Sequence, residues 1–323
     1  MAAGVSGWLI IGTTFRNVHP RAATVRLWGF RAPIGAFLVA WGVAAMFASF
    51  IFDAWWHTTY GIEEVMTSPP HCLLAAGLLA IPLGAMALIA SHLNRAENEL
   101  CDSWRRAYVY FGATSLILLM TLVTESTLRP YQHSAAMYRI VCVLAPAVLA
   151  GLAVVSGRRW AATTAAAIYT GFYLLMLWLL PLFPATPMVG PVFHRVSSMV
   201  PLEFPLWLLV PAALADVLQW KLPALDKMLR SLTGGTAFFL SFASCQWWFA
   251  EFLQSPMARN WFFGARYADF STRPASVYLA YEFVEQSGVG LDSKAGMALA
   301  LVCAMISYWA ALTLAEWMKG THR

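Results

Sequence analysis

The sequence predicts an all-α protein, a polytopic integral membrane helix bundle of about eight transmembrane helices with both termini in the cytoplasm. Of its 323 residues, 60% are hydrophobic and only 11% are charged, whereas about 25% of an ordinary soluble protein is charged. Eight apolar stretches reach the length of about 20 residues that a helix needs to cross a bilayer. This composition excludes a soluble enzyme, a disordered chain and a secreted disulfide scaffold.

The eight predicted spans form a single transmembrane domain over residues 1–323. In chain order they cover residues 32–52, 71–93, 107–128, 137–156, 160–183, 201–220, 232–253 and 294–318. Residues 1–31 are predicted to be a cytoplasmic N-terminal segment, because their only apolar piece is short and is followed by arginines. Residues 254–293 are predicted to be an aromatic-rich segment on the outer membrane surface, where it covers the outer side chains or docks a partner subunit.

Orientation follows from Lys and Arg, which accumulate in the cytoplasmic connections of membrane proteins. With the N-terminus inside, the inner connections hold about twice as many of these residues as the outer ones, and residues 53–70 hold none. The basic residues lie between apolar stretches rather than in one patch, so they do not indicate a nucleic-acid partner. We predict a bacterial inner-membrane protein with a periplasmic outer face.

Ionisable side chains cluster at that outer face, where they are costly and mark a functional site. Asp53 and His57 are four residues apart, so they share one face if the first span continues as a helix. Pro69 and Pro70 favour a new helix beginning at His71, which a short loop would bring back beside that face. Two histidines and one carboxylate can hold copper, zinc or iron. The alternative is a hydrogen-bonded Asp53–His57 pair, with His71 capping its helix.

Four other outer residues are candidates for supporting roles. Glu64 and Glu125 are candidate proton-relay residues. Glu125 is also a candidate further ligand, a group that orients an imidazole, or the ion-pair partner of Arg129. His133 and His194 are candidate further ligands. Asp216 lies too deep for this site and is predicted to serve the inner face.

The segment from Asp53 to His71 resembles the metal-binding segment of the C subunit of copper membrane monooxygenases, the family of the particulate methane and ammonia monooxygenases. The shared features are the Asp-x-x-x-His spacing, the Trp before His57, and the Thr-Ser-Pro sequence that leads to His71. The resemblance implies a copper site at Asp53, His57 and His71 and makes hydroxylation a candidate reaction.

Three functions are consistent with the sequence. The first is a copper-dependent membrane oxidoreductase, monooxygenase-like, or a subunit of one, acting on a small apolar substrate with electrons from a quinol or a partner. The second is a transporter of metal ions or protons, which the nearly uncharged middles of the spans disfavour. The third is a non-catalytic subunit of a larger membrane complex, in which any metal would be structural.

Overall fold

The computed structural model describes residues 2–19, 21–61, 67–95, 101–188, 190–222, 224–285 and 293–320. These residues are mostly helical, which confirms the all-α prediction. The α-helices are α1 Ala2–Arg16, α2 Ile34–Tyr60, α3 Pro69–Leu93, α4 Cys101–Leu122, α5 Thr124–Thr127, α6 Ala135–Val155, α7 Ala161–Leu179, α8 Leu209–Lys221, α9 Lys227–Gln254, α10 Val277–Ala280 and α11 Ser293–Gly320. Short 3₁₀ turns cover Arg21–Ala23, Arg129–Tyr131, Leu180–Leu182 and Pro256–Ala258.

Five of the described helices are long and apolar enough to cross a membrane, which makes the chain an integral membrane protein. They cover Ile34–Tyr60, Pro69–Leu93, Ala135–Val155, Ala161–Leu182 and Lys294–Gly320. Each of the five coincides with a predicted span to within a few residues at its ends, except that α2 runs on to Tyr60. The predicted spans at 107–128 and 232–253 correspond to α4 and α9, which are long but less apolar.

The predicted span at 201–220 is helical only from Leu209 to Lys221. Pro201 and Pro205 precede that helix, and a proline inside a helix removes a backbone hydrogen bond and clashes with the preceding turn. This irregular segment lacks helical hydrogen bonds, and two of its backbone N–H groups are bonded to side chains instead. Leu206 N–H donates to the Tyr169 hydroxyl at 3.1 Å, and Trp207 N–H donates to Gln246 Oε1 at 2.9 Å.

The N-terminal 31 residues have more regular structure than the sequence predicted. Helix α1 is followed by an antiparallel hairpin of β1 (Val25–Leu27) and β2 (Phe30–Ala32), with Trp28 and Gly29 in its turn. The Thr14 hydroxyl accepts a hydrogen bond of 2.8 Å from Arg31 N–H and so holds the hairpin against α1. The strands have three residues each, too few to give a clear periodicity, and α1 contains only a short apolar piece.

The chain divides into two compact units. One contains Met1–Leu122, Gly151–Ala161 and Thr313–Arg323, and the other contains Val123–Ala150 and Ala162–Leu312. In the second unit the buried Asp216 of α8 accepts hydrogen bonds from Ala162 N–H, Thr163 N–H and the Thr163 hydroxyl, at 3.2, 2.8 and 2.7 Å. Asp216 thus satisfies donors at the start of α7 that the helix itself leaves unpaired.

Two glycine pairs bring the backbones of α2 and α3 into contact within the first unit. A Cβ atom added to Gly42 would lie 2.7 Å from the carbonyl oxygen of Gly77, and one added to Gly77 would lie 2.7 Å from that of Gly42. One added to Gly84 would lie 2.7 Å from the Gly35 oxygen. Since the two glycines of each helix are seven residues apart, they form one continuous stripe, and close helix contact of this kind is typical of membrane proteins.

We expect Gly42→Leu to lower the free energy of unfolding by about 1–3 kcal/mol or more, because the α3 backbone cannot move aside as a flexible side chain would. Gly171→Leu in α7 is the matched control, since a Cβ atom there meets nothing within 4 Å. Thermal unfolding of both variants in one detergent checks the prediction. Equal stability of Gly42→Leu and the wild type would show that the glycine contact is not required.

Candidate metal centre

The candidate centre begins at the C-terminal end of α2, which carries Asp53 and His57. The helix continues to Tyr60, so the two side chains share one face as predicted. It ends at Gly61, whose φ of +87° is a backbone conformation that favours glycine. The Gly61 N–H donates to the carbonyl oxygen of His57 at 3.0 Å. The chain therefore turns away from α2 one helical turn beyond His57.

The third residue comes from the first turn of α3, which begins at Pro69, two residues before the predicted start. Ser68 precedes the helix in an extended conformation, and Pro69 and Pro70 occupy the first two helical positions. Proline is suited to these positions because their N–H groups have no partner inside the helix. His71 follows directly, and the close packing of α2 and α3 brings it to Asp53.

Asp53 lies between the two imidazoles and faces each with a different oxygen atom. Its Oδ2 is 3.4 Å from Nε2 of His57, and its Oδ1 is 3.5 Å from Nε2 of His71. Both distances are longer than an ordinary N–H···O hydrogen bond of about 2.7–3.2 Å. The Oδ1 atom is buried and has no hydrogen-bond partner in the described part of the chain. The Asp53 carboxylate thus lies beside both histidines, and the role of the three residues as metal ligands stays a prediction.

A backbone carbonyl sets the orientation of the His57 ring. Nδ1 of His57 lies 3.2 Å from the carbonyl oxygen of Gly61, and a carbonyl oxygen only accepts, so Nδ1 carries the proton that is donated. In a neutral ring, Nε2 then presents its lone pair to the Asp53 carboxylate, and the two groups repel each other. Either a proton on Nε2 or a cation between the two groups removes that repulsion.

As it stands, the Asp53 carboxylate lies within ion-pair distance of both imidazoles. Within the described ranges, no group of three or more His, Cys, Asp or Glu side chains is placed as ligands around one metal ion. The relative exposure of the three side chains is 30% for His57, 34% for Asp53 and 27% for His71. They are thus accessible enough to turn toward a common point without unfolding either helix.

The structure gives little support to the two proton-relay candidates. Glu64 lies outside the described residues. Glu125 lies in the short helix α5 with its side chain exposed, in the second unit. It forms no ion pair with Arg129, which is buried against aromatic rings instead. The relay role of both glutamates remains a prediction.

His133 packs between two aromatic rings in the second unit. Its ring centroid is 3.9 Å from that of Trp247 and 3.7 Å from that of Phe283, and both pairs are nearly parallel. Its Nε2 lies 3.1 Å from the carbonyl oxygen of Trp247 and donates to it. These contacts account for the imidazole as a stacked, hydrogen-bonded group and give no support to its prediction as a metal ligand.

His194 has a different environment. Its backbone N–H donates to the Phe270 carbonyl at 3.3 Å, while its Nε2 atom is buried and has no hydrogen-bond partner among the described residues.

The surroundings of Arg129 differ from the sequence prediction, which gave Glu125 as a candidate ion-pair partner. Arg129 instead contacts Tyr278 and Tyr281 from a distant segment. Nothing in the local sequence indicates contacts over that separation.

Comparisons of the chain with models of known protein families, with curated proteins and with solved structures found no match. What the fold establishes is the class, a helical integral membrane protein. The chemistry of the centre is therefore argued from its own atoms.

A pH prediction follows from the stacked position of His133. Burial lowers the pKa of its imidazole below the ordinary 6.5, although the hydrogen bond to Trp247 and the charge of Glu251 act in the opposite direction. As the pH falls, the unfolded chain takes up this proton first, so the folded state loses stability below about pH 6.5. We expect His133→Phe, which keeps an aromatic ring in the stack, to lose less stability between about pH 7.5 and pH 5.5.

Thermal unfolding of wild type and His133→Phe at the two pH values measures this difference. The same loss on acidification in both proteins would show that His133 does not contribute to the pH dependence.

Proposed function

We propose that this protein binds a metal ion, with copper favoured, on Asp53, His57 and His71 at the outer face of the membrane. The observation that carries the proposal is the Asp53 carboxylate, which faces one imidazole with each oxygen and whose buried Oδ1 has no hydrogen-bond partner. A buried polar atom without a partner is uncommon, and an unseen ion is one of its ordinary explanations.

The distances are compatible with this proposal one pair at a time. Two ligand atoms bound to one tetrahedral ion at about 2.1 Å lie roughly 3.4 Å apart. The nitrogen-to-oxygen distances of 3.4 and 3.5 Å are close to that value, but they involve different oxygens of Asp53, so the side chains would have to turn toward a common point to share one ion. The hydrogen bond from His57 Nδ1 to the Gly61 carbonyl directs the Nε2 lone pair toward the ion, as an outer partner of a ligating histidine ordinarily does.

The proposed membrane topology has eight crossings and both termini in the cytoplasm, which puts the centre on the periplasmic side of a bacterial inner membrane. Helices α4 and α9, with 22 and 28 residues, extend about 33 and 42 Å at 1.5 Å per residue. Both lengths exceed the bilayer core of about 30 Å. Helix α8, with 13 residues, extends only about 20 Å.

The irregular segment before α8 would complete that crossing. Non-helical backbone occurs at membrane depth only where it is buried in protein and its polar groups are bonded. The hydrogen bonds that Leu206 and Trp207 make to Tyr169 and Gln246 satisfy two of these polar groups. They support a sixth crossing made of an extended half and a helical half.

Copper is preferred to zinc or iron because the segment from Asp53 to His71 resembles the copper-binding segment of the membrane monooxygenases. Imidazole and carboxylate ligands suit all three metals. When bound, copper would supply the one-electron chemistry needed to oxidise a small apolar substrate, either in this chain or in a complex of which it is a subunit. The chain's own part would be to hold and orient the ligands, and to move protons through Glu125 or Glu64.

The second candidate function is transport of a metal ion or a proton. The broken crossing before α8 favours it, because discontinuous helices are frequent at transporter binding sites. In this case the residues Asp53, His57 and His71 would form an outer entry site rather than a permanent centre.

Elemental analysis of purified protein tests the proposed centre. We expect near-stoichiometric copper or zinc in wild type and loss of most of it in His57→Ala, His71→Ala and Asp53→Asn, since each removes one of three ligands. His92→Ala is the matched control, because His92 lies on α3 as well but packs against Trp104. Equal metal content in wild type and the three ligand variants would refute the ligand assignment.

Liposome assays distinguish a transporter from a resident metalloprotein. A metal-dependent transporter would move copper or protons across the bilayer, and the same ligand variants would abolish uptake. A metal-loaded protein without uptake would be a resident metalloprotein, and its oxidation of an apolar substrate would then identify it as an enzyme rather than a structural subunit.

A further inference from the structure

The second unit contains a buried cation that the proposed metal centre does not use. Arg129 begins the 3₁₀ turn Arg129–Tyr131, and only 1% of its surface is exposed. Its guanidinium carbon lies 4.7 Å from the ring centroid of Tyr278 and 4.6 Å from that of Tyr281. These cation–π contacts stabilise the charge in part.

The hydrogen-bonding side of this guanidinium is incomplete. Its Nε and Nη2 atoms are both buried and have no hydrogen-bond partner among the residues that the structure describes. Nε–H and the outer Nη2–H point in the same direction along one edge of the planar group, and this edge is the fork with which arginine binds two oxygens of a carboxylate or phosphate in parallel. The two unpartnered atoms are therefore one binding edge rather than two unrelated defects.

The protein's own carboxylates do not fill this edge. In the part of the chain that the structure describes, no acidic oxygen lies within 4.0 Å of Arg129. Glu203 is nearby, since it accepts a hydrogen bond from the Tyr278 hydroxyl. Its Oε1 atom, however, is itself buried and has no partner. A buried charge without a counterion is strongly destabilising.

A second cation reinforces the site. The guanidinium carbon of Arg259 lies 3.7 Å from the centroid of the same Tyr281 ring. The two guanidinium carbons are thus at most roughly 8 Å apart, which is the sum of their distances to that centroid. Two positive charges at this separation, one of them buried, attract an anion.

We propose that the Arg129 fork binds an oxyanion, a phosphate or a carboxylate, which supplies the two missing acceptors. Tyr278 and Tyr281 hold the guanidinium by its faces and leave its edge available to the ligand. The same chemistry is offered by a free phosphate and by the phosphate of an anionic lipid headgroup.

The experiment measures thermal unfolding of the full-length protein with two probes. One is inorganic phosphate in detergent, compared with chloride at equal ionic strength. The other is reconstitution into vesicles of phosphatidylcholine alone or with phosphatidylglycerol. The test variant is Arg129→Lys, which keeps the charge and loses the fork. The matched control is Arg266→Lys, because Arg266 also stacks on a tyrosine ring, that of Tyr267, but is exposed and lies outside the proposed site.

We expect wild type and Arg266→Lys to be stabilised by the oxyanion. Arg129→Lys should need roughly tenfold or more of it for the same stabilisation, as the loss of a charge-assisted bidentate contact implies. Stabilisation by inorganic phosphate identifies a free oxyanion, and stabilisation only by phosphatidylglycerol identifies a lipid headgroup. If Arg129→Lys does not fold, the wild-type response to phosphate against chloride and to phosphatidylglycerol decides the question.

Two results would overturn the proposal. One is the absence of any response to either probe in wild type, or an equal response in Arg129→Lys. The other concerns Glu203→Gln. If this variant is as unstable as Arg129→Lys and has no oxyanion response, the fork is bound internally by Glu203.

Discussion

The backbone contact between α2 and α3 is the constraint on which the candidate metal centre depends. Gly42 and Gly77 leave no room for a Cβ atom, and Gly35 and Gly84 repeat the contact seven residues away. Helices this close run side by side up to the end of the hairpin that carries Asp53, so Asp53 and the first turn of α3 meet there. A larger residue in the stripe would separate the same side chains without altering any of them.

Both proposed sites contain a buried polar group without a partner, an acceptor in one site and donors in the other. At Asp53 a buried acceptor lacks a donor, and at Arg129 a buried fork of donors lacks acceptors. Each group is flanked by contacts that orient it without neutralising it, namely the Gly61 carbonyl behind His57 and the tyrosine rings around Arg129. Buried groups of this kind are expensive, and an ion of the opposite charge would compensate each of them.

The positions of most helices follow from the sequence, because a bilayer core demands a long apolar stretch wherever a helix crosses it. The same argument fails for α8, where Pro201 and Pro205 prevent the first half of the predicted span from being helical. It also misses α1, which has only a short apolar piece, and the β1–β2 hairpin, whose strands are too short to have a distinct pattern. The glycine stripe was visible as two pairs at seven-residue spacing, and close helix packing could have been inferred from it.

The sequence by itself determined the class of protein, the run of apolar helices and the proximity of Asp53, His57 and His71. Local rules suffice for these, because hydrophobic length, the helical repeat and a short proline-containing loop act over a few residues. Only the tertiary structure decided that Asp53 lies between the two rings, that His133 is stacked, and that Arg129 meets Tyr278 and Tyr281. The contacts of His133 and Arg129 join segments that are more than a hundred residues apart in the sequence. Side-chain orientation likewise depends on packing that no local pattern encodes.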